Sequence, residues 1–106
     1  MDHFVEKLLE LERTYKEVEE KLSDPQVVGD PNTYKRFAKM RHQLQSTVDV
    51  FHDWQNTEKQ ISEAQEILRT ETEKEMREMV EGEVEELKGK HIELTEKLKV
   101  LSLIHI

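Results

Sequence analysis

The chain has 106 residues, of which 38% are charged and 35% hydrophobic, with three glycines and no cysteine. This length allows one small domain, and this composition is typical of long, solvated helices that bury a narrow seam rather than a thick globular core. The net charge of −8 argues against a general nucleic-acid-binding surface, because such a surface needs a basic face.

The location of the protein is constrained only by what the sequence lacks. No apolar run could span a bilayer, and the N-terminus lacks the pattern of a signal peptide. The absence of cysteine fits a reducing compartment. We therefore expect a cytoplasmic protein, with a plastid stroma or the mitochondrial matrix as the alternative, and no membrane partner.

The first predicted helix covers about Asp2 to Lys21. Its apolar residues recur at alternating spacings of four and three, which places them on one stripe of an α-helix. The stripe consists of Phe4, Leu8, Leu11, Tyr15, Val18 and Leu22. We expect it to pack against the other helices, with Tyr15 as a packing residue rather than part of a ligand site.

Two Asp-Pro pairs separate the first helix from the second. The segment reads Leu22-Ser23-Asp24-Pro25-Gln26-Val27-Val28-Gly29-Asp30-Pro31. Pro25 stops the first helix, because proline disfavours helical geometry in the residue before it. Asp30 is a good N-cap, and Pro31 suits the first helical position. These signals predict a short structured loop in which Val27 and Val28 fold back onto the helices.

The second predicted helix runs from about Pro31 to Arg69 and is roughly 60 Å long at the usual rise per residue. It carries two apolar stripes. The first is Tyr34, Phe37, Arg41, Leu44, Val48 and Phe51, and the second is Val50, Trp54, Ile61, Ala64 and Leu68. Two explanations are open. A straight helix has 3.6 residues per turn, so a seven-residue repeat of apolar residues shifts gradually around its surface. Alternatively, the first half of this helix faces the first helix and its second half faces the third helix. We expect Trp54, where the stripes exchange, to be a packing hub.

A basic patch lies at the start of this helix. It consists of Lys35, Arg36, Lys39 and Arg41, and no acidic residue occurs from Tyr34 to His42. The simpler interpretation is a solvated face. The alternative is a small surface that contacts RNA phosphate or an acidic protein, through weak attraction that salt would screen.

The third predicted helix follows a polar turn at about Thr70 to Lys74 and ends near Val100. Thr72 and Glu75 have the spacing of a capping box. Its apolar stripe is Val80, Val84, Leu87, His91, Leu94 and Leu98. Because the turn is short, this helix should lie antiparallel to the second. The predicted fold is all-α, with three helices: a shorter N-terminal helix packed on a long, coiled-coil-like antiparallel hairpin.

The sequence offers no catalytic chemistry. It contains no Gly-rich phosphate loop and no metal-ligand spacing, and its histidines are scattered at His3, His42, His52, His91 and His105. The glutamates belong to solvated faces, where no pocket raises a pKa. We therefore predict no catalytic residue, no cofactor and no metal site, and a protein that is not an enzyme.

The segment from Leu22 to Pro31, followed by Tyr34, resembles a turn of the N-terminal helical domain of bacterial-type class I peptide chain release factors. The likeness continues at Glu75-Met76-Arg77-Glu78-Met79 and again at Leu94, Leu98 and Lys99. It covers about residues 4–100. The form of the turn resembles the branch of the family that reads UAA and UAG.

This resemblance implies a role in translation termination. In the family, the N-terminal domain is a positioning module near the ribosomal stalk base and the GTPase centre, and the GTPase release factor is a further possible partner. The stop-codon-reading tripeptide and the catalytic GGQ loop belong to other domains, and neither motif occurs in this sequence. The resemblance implies contact with RNA only within the ribosome, and it implies no DNA partner. The alternative is a stand-alone helical hairpin that docks on the ribosome or acts as a scaffold.

The C-terminal hexapeptide departs from the family. Leu101-Ser102-Leu103-Ile104-His105-Ile106 resembles the translation of a transposon end used in sequencing adapters. We expect residues 1–100 to form the release-factor domain and residues 101–106 to be a non-native tail.

Overall fold

The structure, a computed structural model, describes residues 3–104, and these residues are all-α, as predicted. They form four helices: α1 (His3–Leu22), α2 (Pro25–Val28), α3 (Pro31–Thr70) and α4 (Lys74–Ile104). The three long helices are the predicted ones, whereas the predicted loop contains the single turn α2. Asp2, where the first helix was expected to begin, and His105 and Ile106 of the expected tail lie outside the described residues. None of the described helices is long and apolar enough to cross a membrane.

The helices divide into two compact units. The first contains residues 3–49 and 102–104, and the second contains residues 50–101. Within the first unit α3 faces α1, since Arg41 of α3 contacts two residues of α1. Within the second unit α3 faces α4. Arg41 of the first stripe and Trp54 of the second therefore contact different helices, as in the second of the two predicted alternatives.

The core of the first unit contains two residues of the predicted α1 stripe, Leu8 and Val18, whereas the other four are half-buried. Its buried apolar residues are Leu8, Val18, Val27, Leu44 and Val48. The prediction that Val28 folds inward is wrong: it is 55% exposed, because one helical turn points only one of two consecutive valines at the core. Tyr34 was also expected in the seam but is 42% exposed, at the edge of an open depression.

The second unit is an antiparallel helical pair, as predicted. Nε1 of Trp54 donates a hydrogen bond to Oγ1 of Thr95 (2.8 Å), and Nε2 of His91 lies 3.2 Å from Oε2 of Glu58. Positions rise along α3 as their partners fall along α4, which defines the antiparallel arrangement. Trp54 is buried and stacks on His91 with ring centroids 5.2 Å apart, so its predicted role as a packing hub is confirmed. Farther along, Ala64, Val80 and Val84 form a core cluster with Leu68.

Aspartates close the connection between α1 and α3. Oδ1 of Asp24 accepts a hydrogen bond from the backbone N–H of Gln26 (2.9 Å), which caps α2. Asp30 accepts hydrogen bonds from the hydroxyl (2.9 Å) and the backbone N–H (3.4 Å) of Thr33, which confirms it as the N-cap of α3. These bonds to Thr33 hold the pKa of the Asp30 carboxyl below its ordinary value of 3.8.

The connection between α3 and α4 is closed by Arg77, a residue of the following helix. Nη1 of Arg77 donates hydrogen bonds to the backbone oxygen of Leu68, in the last turn of α3, and to that of Glu71 (2.9 Å). The guanidinium therefore satisfies carbonyl groups that a helix C-terminus leaves without partners.

Both ends of α4 differ from the prediction. The carbonyl of Glu73 accepts the N–H of Arg77 (3.0 Å), so Glu73 occupies the cap position and Thr72 lies one residue too early. The Thr72–Glu75 capping box is therefore wrong. Within the turn, the Glu71 carboxylate accepts the N–H of Glu73 (3.1 Å). At its other end α4 runs past Val100 to Ile104, and Ser102 is buried.

Candidate functional site

Three cations form a basic face on the first turns of α3: Lys35, Arg36 and Lys39. All three are exposed, and Lys39 follows Lys35 by four residues and Arg36 by three, so they are neighbours on the helix surface. No acidic residue from position 34 to position 42 offsets their charge. In a chain of net charge −8, this face can attract a phosphate or a carboxylate that other parts of the surface repel.

Arg41, the fourth predicted contact residue, is directed toward α1 instead. Its Nε lies 3.4 Å from Oε2 of Glu19, and its guanidinium lies over the ring of Tyr15 at 5.6 Å from the centroid. A further hydrogen bond joins its Nη1 to Oε1 of Gln45 (3.3 Å). Arg41 therefore holds α3 against α1, and its charge is already engaged.

The packing between α1 and α3 also perturbs a titratable group. Burial raises the pKa of the Tyr15 phenol, and the nearby Glu19 carboxylate raises it further, whereas Arg41 acts in the opposite direction. The half-buried Tyr15 ring, with the Arg41 guanidinium over it, packs against α3. This agrees with the predicted packing role of Tyr15.

An apolar depression borders the basic face. It is open to solvent and is lined by Leu22, Val28, Pro31, Tyr34, Lys35 and Ala38. The exposed Val28 and Tyr34 give it an apolar surface, and Lys35 belongs to both features. The depression was not predicted, because Val28 and Tyr34 were both expected to lie in the seam. The available signal was the Asp-Pro pair on each side of Val28, which leaves room for only one helical turn.

Within residues 3–104, no group of three or more histidine, cysteine or acidic side chains is placed to hold a metal ion. What the first unit offers is a surface: three cations next to exposed apolar groups. Such a surface can contact an anionic macromolecule.

Comparison with known proteins places the chain in a family. The PCRF domain family matches residues 11–104, and the chain belongs to it. Among similar curated proteins, peptide chain release factor 1 of Bacillus subtilis (strain 168) is 36% identical over 97 residues. The proteins of the same name from Geobacillus sp. (strain WCH70) and Desulfitobacterium hafniense are each 37% identical, over 98 and 97 residues. The predicted release-factor resemblance is thereby confirmed.

The chain covers only part of these relatives. Each alignment spans 92% of this chain but 27% of the relative, so the chain spans about a quarter of the length of the curated proteins it matches. No solved structure matches it.

Proposed function

We propose that this chain acts in translation termination as the ribosome-docking, helical region of a peptide chain release factor 1. The observation that carries the proposal is the PCRF match over residues 11–104, in a fold that exposes the basic face of α3. This region would have a positioning role, as its resemblance to the N-terminal helical domain of the release factors implies. Its site of action is the cytoplasm, or the plastid stroma or mitochondrial matrix if the source is an organelle.

In this proposal the basic face makes the contact with ribosomal RNA. Lys35, Arg36 and Lys39 would lie against phosphates near the stalk base and the GTPase centre, where the GTPase release factor also works. In a chain of net charge −8, contact with RNA phosphate needs a local group of cations, which the basic face supplies. Binding of this kind releases counterions and weakens steeply as salt rises.

The test is co-sedimentation of the full chain with bacterial ribosomes over a series of salt concentrations. The variant Lys35→Gln/Lys39→Gln removes two charges from the basic face. The matched control, Lys88→Gln/Lys97→Gln, removes two charges from exposed positions of α4. We expect the first variant to lower the salt slope by about one to two relative to wild type, and the control to leave it unchanged. No binding at low salt, or equal loss in both variants, would contradict the proposal.

We also propose that residues 101–106 are a non-native tail on a domain formed by residues 1–100. The support is compositional: four of the six residues are leucine or isoleucine, in a chain of mean hydropathy −0.83. Sequencing the locus tests this. The genomic codons after Val100 should differ from those of the tail, whereas a natural transcript that encodes Leu101–Ile106 would disprove it.

A further inference from the structure

A second surface feature lies wholly within the second unit, in the groove between α3 and α4. Four residues of α3, from Gln60 to Ile67, and four of α4, from Glu83 to Lys90, line it. On both helices the lining residues have the spacing i, i+3, i+4 and i+7, so one stripe of each helix faces the groove. A third helix can pack in an open groove that two antiparallel helices flank in this way.

The floor of the groove is apolar and partly exposed. Ala64 is buried and small, Leu87 is half-buried, and Ile67 is 46% exposed. Met79 precedes Glu83 by four residues and Glu86 by seven, so it extends the same stripe of α4 toward the turn, where it is 55% exposed. Methionine adapts its shape to a partner more readily than branched residues do. The floor thus presents separate apolar contact points for inserted side chains.

The rim of the groove is acidic. Glu63 stands on one side, Glu83 and Glu86 stand on the other, and Lys90 is the one cation among the lining residues. Residues 71–86 carry eight glutamates against two cations. One of these cations is Arg77, which is committed to the carbonyl groups at the end of α3. An occupant of the groove must therefore bring positive charge.

We infer that this groove, which we call the acidic groove, binds a basic amphipathic helix of a partner protein. Apolar side chains at i, i+3 or i+4, and i+7 of that helix would insert between Ile67, Leu87 and Met79. Its lysines or arginines would lie against Glu63, Glu83 and Glu86. The acidic groove is in the second unit and the basic face is in the first, so this inference goes beyond the proposed ribosome contact and does not depend on it.

The binding test uses the full chain and a synthetic Leu–Lys peptide whose leucines follow the helical i, i+3, i+4, i+7 pattern. Fluorescence anisotropy is measured with this peptide, with a scrambled peptide of the same composition, and with a Leu–Glu counterpart. We expect the patterned Leu–Lys peptide alone to bind, more weakly as salt rises. Ile67→Ser should weaken binding by at least about fivefold, since a central apolar anchor is lost.

Two further variants separate the groove from general charge attraction. Glu83→Gln/Glu86→Gln should weaken binding at least about threefold at low salt, whereas Glu17→Gln/Glu20→Gln, the same charge change on exposed positions of α1, should leave it within about twofold. Met79→Gln keeps the side-chain length and helix propensity but removes an apolar contact, and it should also weaken binding. Circular dichroism of each variant confirms the helical fold.

Several outcomes would overturn the inference. Equal binding of the scrambled peptide, or equal loss in the groove and α1 variants, would show attraction by charge alone. NMR shift changes confined to the first unit would place the peptide elsewhere. Self-association of the chain that Ile67→Ser abolishes would show that a second copy occupies the groove. Ribosome co-sedimentation is a separate measurement. If the peptide does not bind the acidic groove, the proposed contact between the basic face and the ribosome is not affected.

Discussion

The two units close their helix connections by different means. Between α1 and α3 the bonds are local: Asp24 and Asp30 accept hydrogen bonds from residues two and three positions later. Between α3 and α4 the guanidinium of Arg77 reaches back six residues to Glu71 and nine to Leu68. The first connection can be recognised in the sequence because Asp-Pro pairs have fixed conformational meaning. The second depends on one side chain that no turn signal marks.

Of the substitutions that test this difference, removal of the Arg77 side chain should change the free energy of unfolding most. Arg77→Ala should lower the free energy of unfolding by about 2 kcal/mol, because charge-assisted hydrogen bonds to two carbonyl groups are lost from a partly exposed site. Arg77→Lys should restore part of the loss. Urea denaturation measures both.

The control for this prediction is Arg69→Ala. Arg69 forms an exposed ion pair with Glu66 at 2.9 Å within α3, so its removal should change stability by less than about 0.5 kcal/mol. If Arg77→Ala and Arg69→Ala have the same effect, the second connection does not depend on the arginine.

The two units also differ in the space around their glycines. A Cβ added at Gly82 or Gly89 of α4 would meet no atom within 4 Å, whereas one at Gly29, in the first connection, would lie 3.3 Å from the oxygen of Pro25. Gly82→Ala and Gly89→Ala should each stabilise the chain by about 1 kcal/mol, from helix propensity alone. Thermal unfolding should show Gly29→Ala to be less favourable than either, and a gain at Gly29 equal to theirs would refute the contrast.

Two fully buried threonines differ between the units in a smaller way. The hydroxyl of Thr57 donates a hydrogen bond to the carbonyl of Asp53 (2.8 Å), whereas Oγ1 of Thr47 has no hydrogen-bond partner among the described residues. Thr47→Val should therefore leave the chain more stable than Thr57→Val by about 1 kcal/mol, because it removes an unsatisfied polar group. Chemical denaturation of the two variants checks this, and the opposite order would show that Thr47 has a partner.

The smallest expected effect concerns acid. The pKa of Asp30 is lower in the folded chain than its ordinary value of 3.8, so its contribution to stability is present above that value and is lost as pH falls through the folded pKa. Asp30→Asn keeps an N-cap side chain without a titrating group. Thermal unfolding at successive pH values should show wild type losing more stability than Asp30→Asn below about pH 4. Parallel curves would refute the assignment.

The long helices could be predicted because their apolar spacing matches the period of an α-helix and because proline and aspartate mark the first connection. The exposure of Tyr34 could not be predicted, since it depends on how much of the side chain a neighbouring element covers. The same holds for Arg41. A sequence shows its charge, but only the fold shows that Glu19 and Tyr15 lie within reach.

The acidic groove could not be predicted from the sequence for a related reason. The spacing of Val80, Val84 and Leu87 predicted one buried stripe on α4, and two of these residues are buried as expected. Leu87 is only half-buried, because α3 covers one side of it and leaves the other open to the groove. The spacing of apolar residues identifies the face of a helix that packs against other elements, but it does not give the number of elements that cover that face.

The reach of Arg77 has a consequence for the order of events during synthesis. The caps at Asp24 and Asp30 are complete once the chain has been made as far as Thr33 and Tyr34, so the start of α3 can form while later residues are still in the ribosomal tunnel. The end of α3 must wait for a residue that is added nine positions after Leu68. Because nascent chains fold from the N-terminus onward, we expect the carbonyl groups at the end of α3 to remain hydrated until the first turn of α4 emerges.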